Sequence, residues 1–245
     1  MLEFSAGDYQ ALWLSARVAT AASLLVLPVG FALAWVLVFS RLPGKALLDG
    51  LVNLPLVLPP VVVGYLLLLL LGRQGWLGGL LDRFGIQIVF TWKAAVIASA
   101  LIGLPLMVRS IRLGMEQIDP RLLQASRTLG AAWYDTLLTV VLPLSLPSMI
   151  AGLSLAFARS LGEFGATIIV AGNIPGITQT IPLAIYDYSN TPGGEARALA
   201  LCLVSIVLSY VVLLLSELVL RRFGWGGLRK QGSSPRPSSN RRAPT

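Results

Sequence analysis

Val18-Ala-Thr-Ala-Ala-Ser-Leu-Leu-Val-Leu-Pro-Val-Gly-Phe-Ala-Leu-Ala-Trp-Val-Leu-Val-Phe-Ser40 contains no charged side chain. A helix rises 1.5 Å per residue, so about 20 apolar residues cross roughly 30 Å of hydrocarbon. Residues 50–72 and 198–216 are uncharged over similar lengths. Backbone N–H and C=O groups in lipid must bond within their own segment, so each run reads as a helix. The whole chain agrees: of 245 residues, 56% are hydrophobic and 12% charged, with mean hydropathy +0.78. Soluble domains carry about 25% charged residues. The fold class is therefore an all-α integral membrane protein.

Spans at about 13–39, 52–71, 93–112, 143–162 and 198–220 account for the apolar sequence and make residues 1–223 one transmembrane domain. The net charge of +8 suggests nucleic acid, but its distribution argues otherwise. Of 19 Lys and Arg, only Arg73, Arg83, Lys93 and Arg197 fall in loops on one side, and Arg17 and Arg159 lie within spans. The rest belong to the other side, which positive charge marks as cytoplasmic. The N-terminus then faces out, and both the central loop 113–142 and the C-terminus face in, as expected of a multi-pass bacterial inner-membrane protein. Residues 224–245 are rich in Gly, Pro, Ser and Arg and read as a disordered basic cytoplasmic tail near anionic lipid. A sixth span at 164–186 is possible, but it would carry that tail outside. Its Gly172-Asn-Ile-Pro-Gly176 and Thr178-Gln-Thr180 suit an outer loop, re-entrant at most. The first 16 residues hold Glu3 and Asp8 and no Lys or Arg, so the first span is expected to be retained rather than cleaved. A single Cys202 excludes an internal disulfide framework, and the lack of histidine removes imidazole metal sites, so no metal is expected.

The central loop is helical by its punctuation. Asp119 before Pro120 supplies an N-cap acceptor and a first helical residue that needs no donor. Gly130 falls where a left-handed cap would end that helix. A second short helix is expected from Ala131, stopped by Pro143. Leu122, Leu123, Ala125, Ser126 and Leu129 form a stripe on the first; Trp133, Leu137, Leu138 and Val141 form one on the second. Small residues at 125 and 126 would admit a partner's backbone, and Arg121 and Arg127 add a basic flank. An interfacial amphipathic hairpin lying on the headgroups satisfies the same pattern.

Gln124-Ala125-Ser126, three residues, Gly130, nine residues, then Val140-Val141-Leu142-Pro143 resembles the Glu-Ala-Ala loop of ATP-binding-cassette importer permeases. That resemblance implies a coupling helix seated in a groove of a separate ATPase subunit, with Gln124, Ala125, Ser126, Leu129, Gly130 and Pro143 as its residues. Gln124 replaces the family's Glu and removes a charge; Ser126 and Val140 are milder departures. Asn53-Leu-Pro-Leu-Val-Leu-Pro-Pro-Val-Val-Val-Gly-Tyr65 and Phe157-Ala-Arg-Ser-Leu-Gly-Glu-Phe-Gly-Ala-Thr167 are similar to permease subunits of the molybdate, tungstate and sulfate branch, molybdate above all. The likeness runs from about Trp13 to Arg221. It implies a type I importer fold, a second copy of the chain, an extracytoplasmic molybdate-binding protein, and ATP and magnesium on the ATPase. No Gly-x-x-x-x-Gly-Lys-Ser/Thr phosphate loop occurs in this chain, so it is expected to be a transport subunit and not an enzyme, with no cofactor of its own.

Arg159 and Glu163 are four apart, hence on one helix face near the outer end of the fourth span. They and Arg17 admit two readings: charges snorkelling to water, with Arg17 neutralising Glu163, or an outer gate. In the gate, an oxyanion meets Arg159 while Glu163 holds that arginine in place. Gly152, Ala156 and Ser160 recur every four residues, the pattern of close helix packing. Asn173, Asp187 and Glu195 offer polar groups to an external binding protein. An ion-driven secondary transporter would need ionisable groups near the midplane, and a membrane enzyme would need paired carboxylates or a nucleophile with its base; the spans offer neither.

Overall fold

Ser5 starts the first helix. Its N–H donates to Asp8 Oδ2 at 2.7 Å, and its hydroxyl accepts from the Asp8 N–H, a reciprocal cap that satisfies two end donors. The structure, a computed structural model, describes residues 4–222, all of whose regular elements are helical. They are α1 (Ala6–Phe39), α2 (Lys45–Val57), α3 (Pro60–Leu71), α4 (Trp76–Asp82), α5 (Trp92–Glu116), α6 (Pro120–Thr128), α7 (Trp133–Thr136), α8 (Leu142–Leu161), α9 (Gly165–Val170), α10 (Ile181–Ser189) and α11 (Glu195–Arg222). The basic segment 224–245 lies outside the described residues.

The core is the packing of α1, α5 and α8. Buried residues make up 67% of the apolar window of α5 but 17% of that of α11, so α5 is central and α11 peripheral. Lipid is as apolar as leucine, so helices approach closely where side chains are small. A Cβ at Gly30 would lie 2.6 Å from Met107 Cγ, and one at Gly152 would lie 3.0 Å from Met107 Sδ. Gly152, Ala156 and Ser160 are all buried, with Ala156 facing Gly103, so the stripe is a packing seam. Ser110 Oγ donates to the Ser148 carbonyl at 2.8 Å across the same α5–α8 contact. Leu199, Leu203, Ile206, Val207 and Tyr210 of α11 point outward, a face for which hydrocarbon is the matching solvent.

Four helical stretches are long and apolar enough to span: Ala6–Phe39, Trp92–Glu116, Trp133–Leu161 and Glu195–Arg222. A fifth arises if α2 and α3 count as one. The span expected at 52–71 is a pair of helices bent by 110°. Pro59 and Pro60 cause the break, since neither can donate to the preceding turn. The fourth span differs from its expected 143–162. Pro143 does not stop a short helix: α7, a π-helical turn at Leu137–Val141 and α8 run on as one rod. The Leu142 N–H reaches back to the Leu137 carbonyl, and that widened turn absorbs the donor Pro143 lacks. The segment 164–186 holds only α9 and α10, about 9 and 14 Å long at 1.5 Å per residue, too short to cross. Neither is among the candidate crossing helices.

Candidate functional site

α6 is built as its sequence punctuation requires. Asp119 Oδ1 accepts from the Arg121 N–H at 2.9 Å, and Pro120 occupies the first turn. The helix closes on Gly130 at φ +82°, with the Gly130 N–H on the Arg127 carbonyl at 3.0 Å and the Ala131 N–H on the Ser126 carbonyl at 3.1 Å. This pair of bonds satisfies the last carbonyls and needs a left-handed residue at the corner. No residue of α6 is buried; Gln124, Ala125 and Leu122 are exposed, and Leu129, just beyond it, is 88% exposed. The expected stripe therefore divides. Leu123 packs on the core, and Ser126 bonds Thr136 of α7 at 2.8 Å rather than leaving room for a partner. Leu122, Ala125 and Leu129 remain available.

The anchor beneath α6 is the rod Trp133–Leu161. The Trp133 ring lies tilted against that of Trp35 of α1, centroids 6.2 Å apart, and Val141 is buried. Pro143 sits exposed just past the π-turn, away from α6. At this end a polar cluster unforeseen in the sequence ties α2 to α5: Arg112 pairs with Asp49 at 3.2 Å and with Glu116 at 2.8 Å, and Asn53 Nδ2 donates to Asp49 Oδ1 at 3.0 Å. The i,i+4 spacings of Asp49/Asn53 and Arg112/Glu116 were readable; the bridge between the two helices was not.

The opposite end carries the buried charge. Arg159 Nη1 donates to Glu163 Oε2 at 2.8 Å, and Glu163 Oε1 accepts from the Ala166 N–H at 2.9 Å. Glu163 thus closes the gap between α8 and α9, capping the latter. Its side chain is 2% exposed and that of Arg159 31%. A charge within the bilayer costs about 2.5–3.5 kcal/mol on insertion scales, so pairing is expected. Arg17 is not part of this pair: its guanidinium lies over the Trp92 ring, 4.0 Å from the centroid, which corrects the reading that it neutralises Glu163. α9 sits tightly on α3, where a Cβ at Gly64 would lie 2.7 Å from the Ala166 carbonyl oxygen and one at Gly165 2.9 Å from Pro60 Cβ.

Asn173, Asp187 and Glu195 sit on three different elements. Asn173 is half-buried in the loop after α9, with its Oδ1 enclosed and unbonded. Asp187 on α10 accepts from Gln179 Nε2 at 2.8 Å, and Glu195 is exposed in the first turn of α11. The fixed contacts here are others: Tyr188 donates to Asp8 Oδ1 at 2.7 Å, and Ser15 Oγ accepts from the Ile181 N–H at 2.7 Å, fastening α10 to α1.

Long outward-apolar helices, a proline-broken span and an exposed, capped helix mounted on one of the long rods define a multi-span helical membrane protein. The chain belongs to the family of binding-protein-dependent transport system inner membrane components, whose sequence profile matches residues 26–225. It is 54% identical over 215 residues to the molybdenum transport system permease protein ModB of Escherichia coli K12, covering 87% of this chain and 94% of that protein. It is 37% identical to the sulfate transport system permease protein CysT of the same organism, over 75% and 67% of the two chains. Among solved structures, a bacterial transporter that imports the acidic polysaccharide alginate matches with TM-score 0.73 at 18% identity, over 89% of this chain and 80% of that one. The MetNI methionine transporter matches with TM-score 0.66, also at 18% identity, over 88% and 94%. These two share the fold, that of ABC importer permeases.

Proposed function

We propose that this chain is the permease subunit of an ATP-driven inner-membrane importer of a tetrahedral oxyanion, with molybdate as substrate. α6 would face the cytoplasm. The observation that carries the coupling is α6 itself, stiffly capped, wholly unburied and hung from the spanning rod through Ser126 and Thr136. An ATPase subunit holding ATP and magnesium would grip Leu122, Gln124, Ala125 and Leu129, with Gly130 fixing the corner. Its closure would move the rod, about 43 Å long at 1.5 Å per residue, and so alter the opposite end. There a molybdate-binding protein would deliver substrate at the surface that bears Asn173, Asp187 and Glu195. A second copy of the chain would complete the path, because five helices seldom enclose a gated pore. The orientation follows the basic residues Arg41, Lys45, Arg109, Arg121 and Arg127 near α6.

This chain breaks no bond; it converts closure of a partner into alternating access. The molybdate assignment draws on the 54% likeness to ModB; the 37% likeness to CysT makes sulfate, with tungstate, the second reading. The test is purification with the neighbouring gene products followed by molybdate and sulfate uptake. An ATPase should co-purify and molybdate should compete out sulfate. Deletion of 121–130 should abolish both co-purification and uptake; uptake surviving that deletion overturns the reading.

A further inference from the structure

Arg159 holds most of its donors in reserve. A guanidinium has five N–H donors, and among the described residues this one makes a single hydrogen bond, to Glu163 at 2.8 Å. Glu163 is spent: one oxygen on Arg159, the other on the Ala166 N–H, with the side chain 2% exposed. The pair therefore has a fixed, buried acidic side and a partly open basic side. Along α8 the guanidinium shares its face with Leu155 and Gly162, both exposed. Hydrocarbon offers nothing to unspent N–H groups, so that face calls for water or an anion.

We propose that Arg159 is the contact that receives the transported oxyanion within the membrane, and that Glu163 is the positioning residue that sets how tightly it is held. This rests on the reading of the chain as an oxyanion permease. A planar guanidinium fork matches the paired oxygens of a tetrahedral dianion. An unopposed arginine would hold the dianion and stall it, whereas conduction needs binding strong enough to admit and weak enough to release. Glu163 supplies the opposing charge 2.8 Å away and, by capping α9, fixes where the fork points.

The experiment uses the complete transporter, with its ATPase and binding protein, in proteoliposomes given radiolabelled molybdate. Arg159→Gln should lower molybdate moved per ATP hydrolysed by about tenfold, and Arg159→Lys by less, since the charge stays but the fork is lost. Glu163→Gln keeps an acceptor for the Ala166 N–H but removes the opposing charge. Without binding protein present, it should retain molybdate in a filter assay about tenfold better than the parent while turning over more slowly. Adding Arg159→Gln to that variant should erase the gain, which a merely structural Glu163 would not produce. A parent-like ratio in Arg159→Gln would mean that the guanidinium only snorkels to headgroups, and would overturn the proposal. So would a Glu163→Gln transporter that retains no extra molybdate. A parent that moves no oxyanion overturns the broader reading as well.

Discussion

Gly130 and Gly64 are glycines for different reasons, and substitutions separate them. At Gly130 the backbone is at φ +82° and no atom lies within 4 Å of a built Cβ, so the demand is conformational alone. A left-handed β-branched residue costs roughly 1–2 kcal/mol, while asparagine tolerates the region. Gly130→Val should therefore weaken ATPase co-purification and uptake with normal membrane insertion, and Gly130→Asn should restore both. At Gly64 the obstacle is backbone: a Cβ would meet the Ala166 carbonyl oxygen at 2.7 Å and its Cα at 2.8 Å. Overpacking of this kind costs about 1–3 kcal/mol. Gly64→Val should lower the thermal midpoint in detergent, whereas Gly50→Ala on α2, with open space around it, should leave it level or raise it, helix propensity contributing up to about 1 kcal/mol of stability.

Elements matter here through their joints. The Ser126–Thr136 bond joins α6 to the rod, and such a bond is worth about 1 kcal/mol. Ser126→Ala leaves the exposed face of α6 intact, so the ATPase should still co-purify while uptake per ATP drops by several-fold; equal losses of both would show that the bond serves docking instead. Joints also mark the limit of what the sequence could say. Asp119, Pro120 and Gly130 marked α6 from local chemistry alone, and the uncharged runs 18–40 and 198–216 marked α1 and α11. Pro143 misled because the π-turn at Leu137–Val141 absorbs the donor it lacks, and nothing local in the sequence announces such a turn. Glu163 was correctly paired with Arg159 through the i,i+4 rule, but its bond to Ala166 depends on the chain breaking at Gly162–Phe164. The reading that pairs Arg17 with Glu163 failed because Trp92 lies far along the chain and only packing of α1 on α5 brings Arg17 onto it.

At the scale of the molecule, the two ends are chemically unlike. One carries α6, the Arg112–Asp49 bridge and most of the basic side chains; the other carries the Arg159–Glu163 pair and α10 fastened to Asp8. Five crossings, counting the bent pair α2–α3 as one, put the start of α1 and the tip of α6 on opposite faces of the membrane; treating that pair as non-crossing would put them on the same face. Labelling decides between these arrangements. Cys202 is the single native thiol and lies half-buried in α11, so Cys202→Ser gives a clean background. In intact cells a membrane-impermeant maleimide should modify Tyr9→Cys, exposed in the first turn of α1, and leave Leu129→Cys untouched until the membrane is opened. Adding the purified ATPase partner should then protect Leu129→Cys but not Tyr9→Cys. Labelling of both positions in intact cells would remove the bent pair as a crossing and, with it, the cytoplasmic placement of α6.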